Sequence, residues 1–480
     1  MEDLNDIPSL KGFIDLLLAR LAHLESAYAD LGSSHAALQT RYRLLEAENA
    51  DLRHQLHLNS TNSHKPPSSD GLRKKPAIAP VKGGKSGGQI GHTGKSLKFV
   101  SEPNHTLIHH LSACPCCSKV FTPSDIEGTT QKRQVFDIPT PRLEVTEHQL
   151  GIITCCGQRH IGSFPDGVNS SVQYGSKIKA LSVLLSVDYK MPFDKIEQLF
   201  TDIYDCSFNE STAITANNTC FDALAPVEEA IKAEILASKV VHFDETGMRV
   251  EGKLHWFHTA CTVLFTYLFV HPKRGKEALL SAESLLKDFK NWAIHDCWKS
   301  YFDFKTCFHA LCNAHIIREL DNLIEMGSTW APDMKKLLFE LFKLSEKGAI
   351  NVPNKAQWIE KYQAICQKAD KEEPPPIKGA RGKPKSSKGR NLLNRLTEHQ
   401  EGILAFAFID DIPFTNNQAE RDIRCLKTKQ KVATSFRKMK GAQNYVRIQG
   451  FVSTTRKHKM NVFTQIINIF EHKKIQFSTT

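Results

Sequence analysis

Leucine recurs at every seventh position near the start of the chain, at Leu10, Leu17, Leu24, Leu31, Leu38, Leu45 and Leu52. Ile14, Leu21, Tyr28, His35, Tyr42, Asn49 and Leu56 fall four residues after each. A narrow apolar seam with this period predicts a helix over residues 1–57 that pairs with another copy of itself as a coiled coil. His35 and Asn49 are polar seam positions that would set register or strand number, and Gly32-Ser33-Ser34 is a candidate interruption. The competing expectation is an amphipathic helix packed on its own domain.

The pattern then changes several times. Residues 58–103 are rich in Ser, Gly, Pro and Lys and read as a basic flexible linker, with too few apolar positions to bury a core. Residues 104–165 form a Cys-rich module in which 135–138 and 143–153 read as short strands. Helical spacing returns over 166–238, with Ile178, Leu181, Leu184 and Leu185 on one stripe. Two short helices about a turn there make a candidate helix-turn-helix DNA reader, and a plain helical packing layer is an equal expectation. A strand-rich core follows within 239–455. Strands are expected at 239–243, 255–261 and 265–271, a helix at 276–289, and a fourth strand from Trp292 into Asp296. From Phe302 the pattern is mostly helical, with an insertion at about 321–400 that includes a polar, Pro-rich loop at 371–390, and a basic tail at 456–480.

Charge adds a partner to this outline. The 480 residues carry a formal net charge of +11. Residues 65–98 hold eight Lys or Arg against the single acid Asp70, and residues 421–474 hold fourteen against Asp422 and Glu471. Localised basic segments point to a polyanion, with a solvated basic surface as the bland alternative. The acidic, amphipathic start reads as no signal peptide, and no apolar run approaches the roughly 20 residues of a membrane span. A cytoplasmic protein is expected. The 13 Cys are then not a disulfide framework.

The strand pattern ends twice on an acid. In VVHFDETG, Asp244 shares a strand face with His242 while Glu245 points the other way, and in WAIHDCW an apolar strand runs into Asp296. Adjacent strands can bring such carboxylates together, at the cost of mutual repulsion that a hard divalent cation removes. A third acid is expected on a helix packed across the sheet. FTNNQAERDIR supplies it, with Asn416 or Asn417 as the cap and Glu420 in the first turn. Arg421, Arg424 and Lys427 follow at three-residue spacing on one flank. Each acid alone is a weak signal, but their order suits an RNase H-like fold of the retroviral-integrase type. Two magnesium or manganese ions held there would serve in-line displacement at phosphorus.

Several segments carry a resemblance. The Leu-repeat start, NSHKPPSSDG, GGQIGHTG, the Cys-rich module, DETG at 244–247, HDCWKSYF at 295–302, CNAHIIREL at 312–320 and NNQAER at 416–421 occur in the order seen in the transposases of the bacterial insertion sequence 66 family, which the chain resembles over most of its length. The resemblance implies a metal-dependent DNA transposase with Asp244, Asp296 and Glu420 as its catalytic, metal-binding acids, acting on element ends and target DNA in the bacterial nucleoid. It also implies a supporting role for His315 and Arg318 near scissile phosphate, with core packing and a surface pair as the alternative, and a DNA contact for Arg274.

Cys114 and Cys117 form a Cys-x-x-Cys pair, and Cys156 with His160 completes a set of four ligands for a structural zinc, with Cys155 or Cys116 as substitutes. The expectation is therefore a multidomain α/β chain: an RNase H-like catalytic domain with a helical insertion, an N-terminal coiled coil and a small zinc-binding module. The alternative function is a zinc-finger and coiled-coil DNA-binding protein without catalysis. A nuclease acting on RNA or hybrids is a third reading.

Overall fold

In the computed structural model, residues 7–57, 97–129, 131–346, 348, 352–375 and 386–478 are described. Most of the expected linker and the centre of the Pro-rich loop lie outside them. The chain divides into two compact units, residues 1–71, 174–192 and 213–480 in one, and residues 72–173 with 193–212 in the other.

Helix α1 runs unbroken over Ile7–His57, so Gly32-Ser33-Ser34 does not interrupt it. Its seam residues Ile14, Leu17, Leu21, Leu24, Tyr28, Leu31, Leu38, Tyr42, Leu45 and Leu52 are all exposed.

The second unit contains the Cys-rich segment. Its strands are β1 (Ile152–Cys155) and β2 (Gln158–Ile161), an antiparallel hairpin turned by Cys156 and Gly157. Both turn residues have positive φ, 51° and 73°, as a two-residue hairpin turn requires. Of the strands expected at 135–138 and 143–153, only Ile152 and Ile153 join a ladder, at the start of β1; the remainder is not strand, and Val135, Ile138 and Val145 are exposed. The alternation there had no second strand to pair with.

In the first unit, α2 (Ser176–Val183) passes into a π-helical turn, Leu184–Asp188. Helix α3 (Phe193–Tyr204) belongs to the second unit, where Phe200 stacks on Phe208 with ring centroids 4.3 Å apart. Then come α4 (Glu210–Ala223) and α5 (Ala225–Ala237).

The central sheet is mixed. Strand β3 (Val240–Val250) turns through Glu251-Gly252, both with positive φ, into β4 (Lys253–Cys261), and β5 (Thr266–His271) pairs with β4. A short helix α6 (Lys276–Leu279) leads on to β6 (Trp292–His295) and β7 (Phe308–Leu311), both parallel to β3. The order is β5-β4-β3-β6-β7. The helix expected at 276–289 stops after one turn. Ser284 Oγ accepts from the Leu286 N–H at 3.3 Å, and serine bonds of this kind compete with the helical ladder. Leu285, Leu286 and Phe289 are buried nonetheless.

Helices α7 (Asn313–Glu325), α8 (Ala331–Ser345), α9 (Lys355–Glu372), α10 (Lys388–Glu398) and α11 (Gln400–Phe408) form a helical block whose core, around Trp330, Leu338, Tyr362, Leu392 and Ile403, also takes in Ile294, Ala310 and Leu311 of the sheet. The chain returns through α12 (Asn417–Ala433), β8 (Ser435–Phe436), α13 (Met439–Lys457) and α14 (Val462–Phe470). Side chains alternate across β3, and both faces are covered. Val241 and Phe243 enter one core with Phe269 and Phe289, while Met248 and Val250 enter the other with Ile423, Leu426 and Phe451. Asp244 has the parity of Met248, so it faces the layer that contains α12.

Candidate active site

Asp244 sits in the middle of β3, opposite Thr259, and its Oδ1 accepts from the Glu245 N–H at 2.8 Å. Asp296 follows the last residue of β6, and its Oδ1 accepts from the Trp298 N–H at 3.2 Å. Glu420 lies in the first turn of α12, which packs on β3 and β4. Burial raises the Asp244 carboxyl well above the usual carboxylate range, and the charges of Glu245, Asp296 and Glu420 push it the same way; the Glu245 N–H opposes them. Two acids remote in sequence, Asp296 and Glu420, therefore act on Asp244.

Glu420 Oε1 is buried and accepts no hydrogen bond, and His315 Nε2 lies 4.0 Å from it. A buried carboxylate oxygen without a donor is costly unless a cation meets it. The donor set is all oxygen at the three acids, which suits a hard divalent ion such as magnesium or manganese. Their ligand atoms are nevertheless not gathered within 4.8 Å of one another; among the described residues, Cys312, His315 and Glu420 are. One ion bound at about 2.1 Å needs donors within about 4.2 Å of each other. The three acids as they stand therefore do not close on a single ion.

The other face of β3 carries a clamp that the sequence reading missed. Glu245, with 1% of its side chain exposed, pairs with Arg274 at 2.7 Å and accepts from the Tyr301 hydroxyl at 2.5 Å. The Arg274 guanidinium lies over Trp256 at 4.8 Å and Trp298 at 4.3 Å. Burial and the Asp296 charge raise the Glu245 carboxyl, while Tyr301 and Arg274 pull it down. Arg274 is thus engaged within the protein, with 38% of its side chain exposed. Arg274→Lys is expected to destabilise the fold by about 1–2 kcal/mol, because an ammonium reproduces neither the fork nor the stacking. Denaturant unfolding reads this, and a loss below about 0.5 kcal/mol would remove the clamp as a structural device.

Arg421, Arg424 and Lys427 are exposed along α12 and make no ion pair among the described residues. Although Lys427 is exposed as a residue, partial burial lowers its ammonium, and the Asp244 charge raises it. Arg318, half-buried on α7, also makes no ion pair among the described residues. Asn416 stands at the start of α12 as expected, but its side chain does not cap the helix. It bonds to β3 instead, through Phe243 O and His242.

In the Cys-rich segment, Cys114 opens a tight turn in which its N–H donates to Lys119 O at 2.8 Å and its carbonyl accepts from the Ser118 N–H at 3.0 Å. Bonds from the Cys116 and Cys117 backbone, and from the Cys117 side chain, lower the Cys114 thiol. Cys156 is at the β1–β2 turn, 3.5 Å from Cys155 between sulfurs, and His160 is on β2 opposite Ile153. Among the described residues these donors do not form a gathered set of three or more. The four expected zinc ligands, Cys114, Cys117, Cys156 and His160, are thus not gathered into one group.

Among the described residues, no helix is long and apolar enough to cross a membrane. A family of unknown function matches residues 10–98, and no curated protein matches the chain. The family model described as Transposase IS66 family matches residues 171–444, which take in β3, β6 and α12 with all three acids. That match covers more than half of the 480 residues, and the chain belongs to the IS66 transposase family.

Proposed function

We propose that the chain cleaves DNA at the ends of its element and joins the freed 3′-hydroxyl to target DNA, using Asp244, Asp296 and Glu420. What carries the reading is the Asp244 carboxyl, raised by burial and by the charges of Glu245, Asp296 and Glu420, together with a buried Glu420 oxygen that has no donor. The sheet order, three antiparallel strands followed by two parallel ones, supports an RNase H-like fold of the retroviral-integrase type with α7–α11 as its helical insertion. A divalent pair bound there would supply Lewis-acid stabilisation of the attacking and leaving oxygens. The chain's own part is to hold the carboxylates at fixed spacing and to offer cations to phosphate. Arg421, Arg424, Lys427 and Arg318 are the cations we assign to DNA, with His315 beside Glu420 as support.

The test is joining of element-end DNA to a target duplex with magnesium. Glu420→Gln is expected to bind end DNA within about twofold of wild type and to lose joining by about a hundredfold or more. Joining at the wild-type rate would remove Glu420 from the centre.

The exposed seam of α1 supports self-association through a coiled coil. Deleting residues 1–57 is expected to leave the α/β domain folded and to lower the oligomer size in sedimentation. An unchanged oligomer would move the contact elsewhere. A zinc at Cys114, Cys117, Cys156 and His160 stays part of this reading, supported by the lowered Cys114 thiol, and zinc content after dialysis measures it.

A further inference from the structure

The parallel ladder β3–β6–β7 ends where the catalytic candidates begin. The β3–β6 pairing stops at His242 opposite Ile294, and the β6–β7 pairing at His295 opposite Leu311. Phe243 O and His295 O are therefore the last carbonyls before Asp244 and Asp296. Each is met by a residue outside the named strands. Asn416 Nδ2 donates to Phe243 O at 2.8 Å, and the Cys312 N–H donates to His295 O at 3.0 Å.

The two residues that close these strand ends are bonded to each other. The Asn416 N–H donates to Cys312 Sγ at 3.1 Å. Asn416 Oδ1 accepts from His242 Nδ1 at 2.8 Å, which leaves the amide in one orientation and the imidazole in one tautomer. Asn416 O also receives the Glu420 N–H at 3.3 Å, and the Asn313 N–H, next to Cys312, donates to Phe414 O at 3.1 Å. Cys312 and Asn416 are 2% and 3% exposed, so water does not substitute for these bonds.

We infer that Cys312 and Asn416 form a clasp of positioning residues that sets the spacing of Asp244, Asp296 and Glu420. One bond reaches the residue before each aspartate, and one reaches Glu420 itself. On this account the Cys312 sulfur serves as a hydrogen-bond acceptor. It is not a metal ligand, although it lies with His315 and Glu420 in a group compact enough to hold an ion. The inference rests on the catalytic reading of the three acids, and it assigns a task to two buried residues outside that set.

The test uses full-length protein and four measurements: thermal midpoint, affinity for element-end DNA, turnover in strand joining, and direct Mn2+ binding by electron paramagnetic resonance. Asn416→Asp keeps an acceptor for His242 and loses the donor to Phe243 O; Asn416→Ala loses both. Each is expected to bind DNA within about twofold of wild type, and to lose about 10- to 100-fold in Mn2+ affinity and turnover, the range typical of residues that orient metal ligands. Cys312→Ser, which retains an acceptor, is expected to stay within about threefold of wild type in both, with Cys312→Ala falling with the Asn416 variants. Wild-type Mn2+ affinity in folded Asn416→Ala and Asn416→Asp would overturn the clasp. So would equal loss in Cys312→Ser and Cys312→Ala, which is the result expected of a thiolate ligand. If Asn416→Ala does not fold, Asn416→Asp and the two Cys312 variants decide. Asp244→Asn in the same panel separates the two claims. Retained Mn2+ binding there would defeat the catalytic reading, while its loss beside intact Asn416 variants would defeat the clasp alone.

Discussion

Asp244→Asn is expected to lower strand joining by about a thousandfold or more, and to make the metal-free protein melt at a higher temperature than wild type. The first effect follows from the several kcal/mol of transition-state charge stabilisation that a bound cation supplies, at about 1.4 kcal/mol per tenfold in rate. The second follows from the cost of the site itself. Burial and three neighbouring carboxylates oppose the charged form of Asp244. A carboxyl raised above its unfolded value makes the fold most stable when protonated, and that contribution is lost as pH rises through the raised value. At neutral pH the charged form therefore burdens the folded state, and a neutral amide of the same shape removes the burden. Magnesium should reverse the ranking. A ligand at a hundred times its dissociation constant stabilises by about 2.7 kcal/mol, and only the wild type gains this in full. Scanning calorimetry with and without magnesium reads both halves. A variant that melts lower than wild type without metal would mean that Asp244 is held by favourable contacts and is not strained by its neighbours.

The second large effect concerns the helix that carries Glu420. Two residues further on, Asp422 pairs with Lys457 of α13 at 2.6 Å, with side chains 6% and 12% exposed. Lys457 also donates to Thr262 O at 2.7 Å and Phe265 O at 3.0 Å, and Asp422 accepts from Thr266 and Gln418, each at 3.0 Å. The pair thus ties α12 and α13 to the β4–β5 turn. Lys457→Met leaves a buried carboxylate facing two carbonyls. The expected loss is about 3–5 kcal/mol, the usual penalty for breaking a buried pair from one side, or about 10 °C in thermal midpoint. Asp422→Asn added to Lys457→Met should recover part of it, since an amide is cheaper to bury than an unpaired charge. Urea unfolding measures both variants. A single-variant loss under about 1 kcal/mol would show that water reaches the pair and screens it.

Local patterns in the sequence determined the elements and their chemistry. The seven-residue leucine period predicts α1, and α1 is a continuous helix. The apolar runs before Asp244 and Asp296 are the strands β3 and β6, and Glu420 is in the first turn of a helix. Period-two alternation already placed Asp244 and Glu245 on opposite faces of their strand. Such features depend on neighbours within a few residues, so they are visible in the chain as written. Other outcomes depended on partners that local patterns do not name. The stretch at 135–151 alternates like a strand, but pairing needs a second edge. Asparagine caps helices, which makes Asn416 or Asn417 the expected cap; the Asn416 amide instead closes a strand end 173 residues away in sequence. The Arg274 clamp and the Asp422–Lys457 pair likewise join distant segments, and only burial makes those bonds strong enough to matter. The acids are named by sequence. Their mutual spacing, and the residues that set it, are properties of the packed sheet and helix layers, because a distance between remote residues exists only once the layers close on one another.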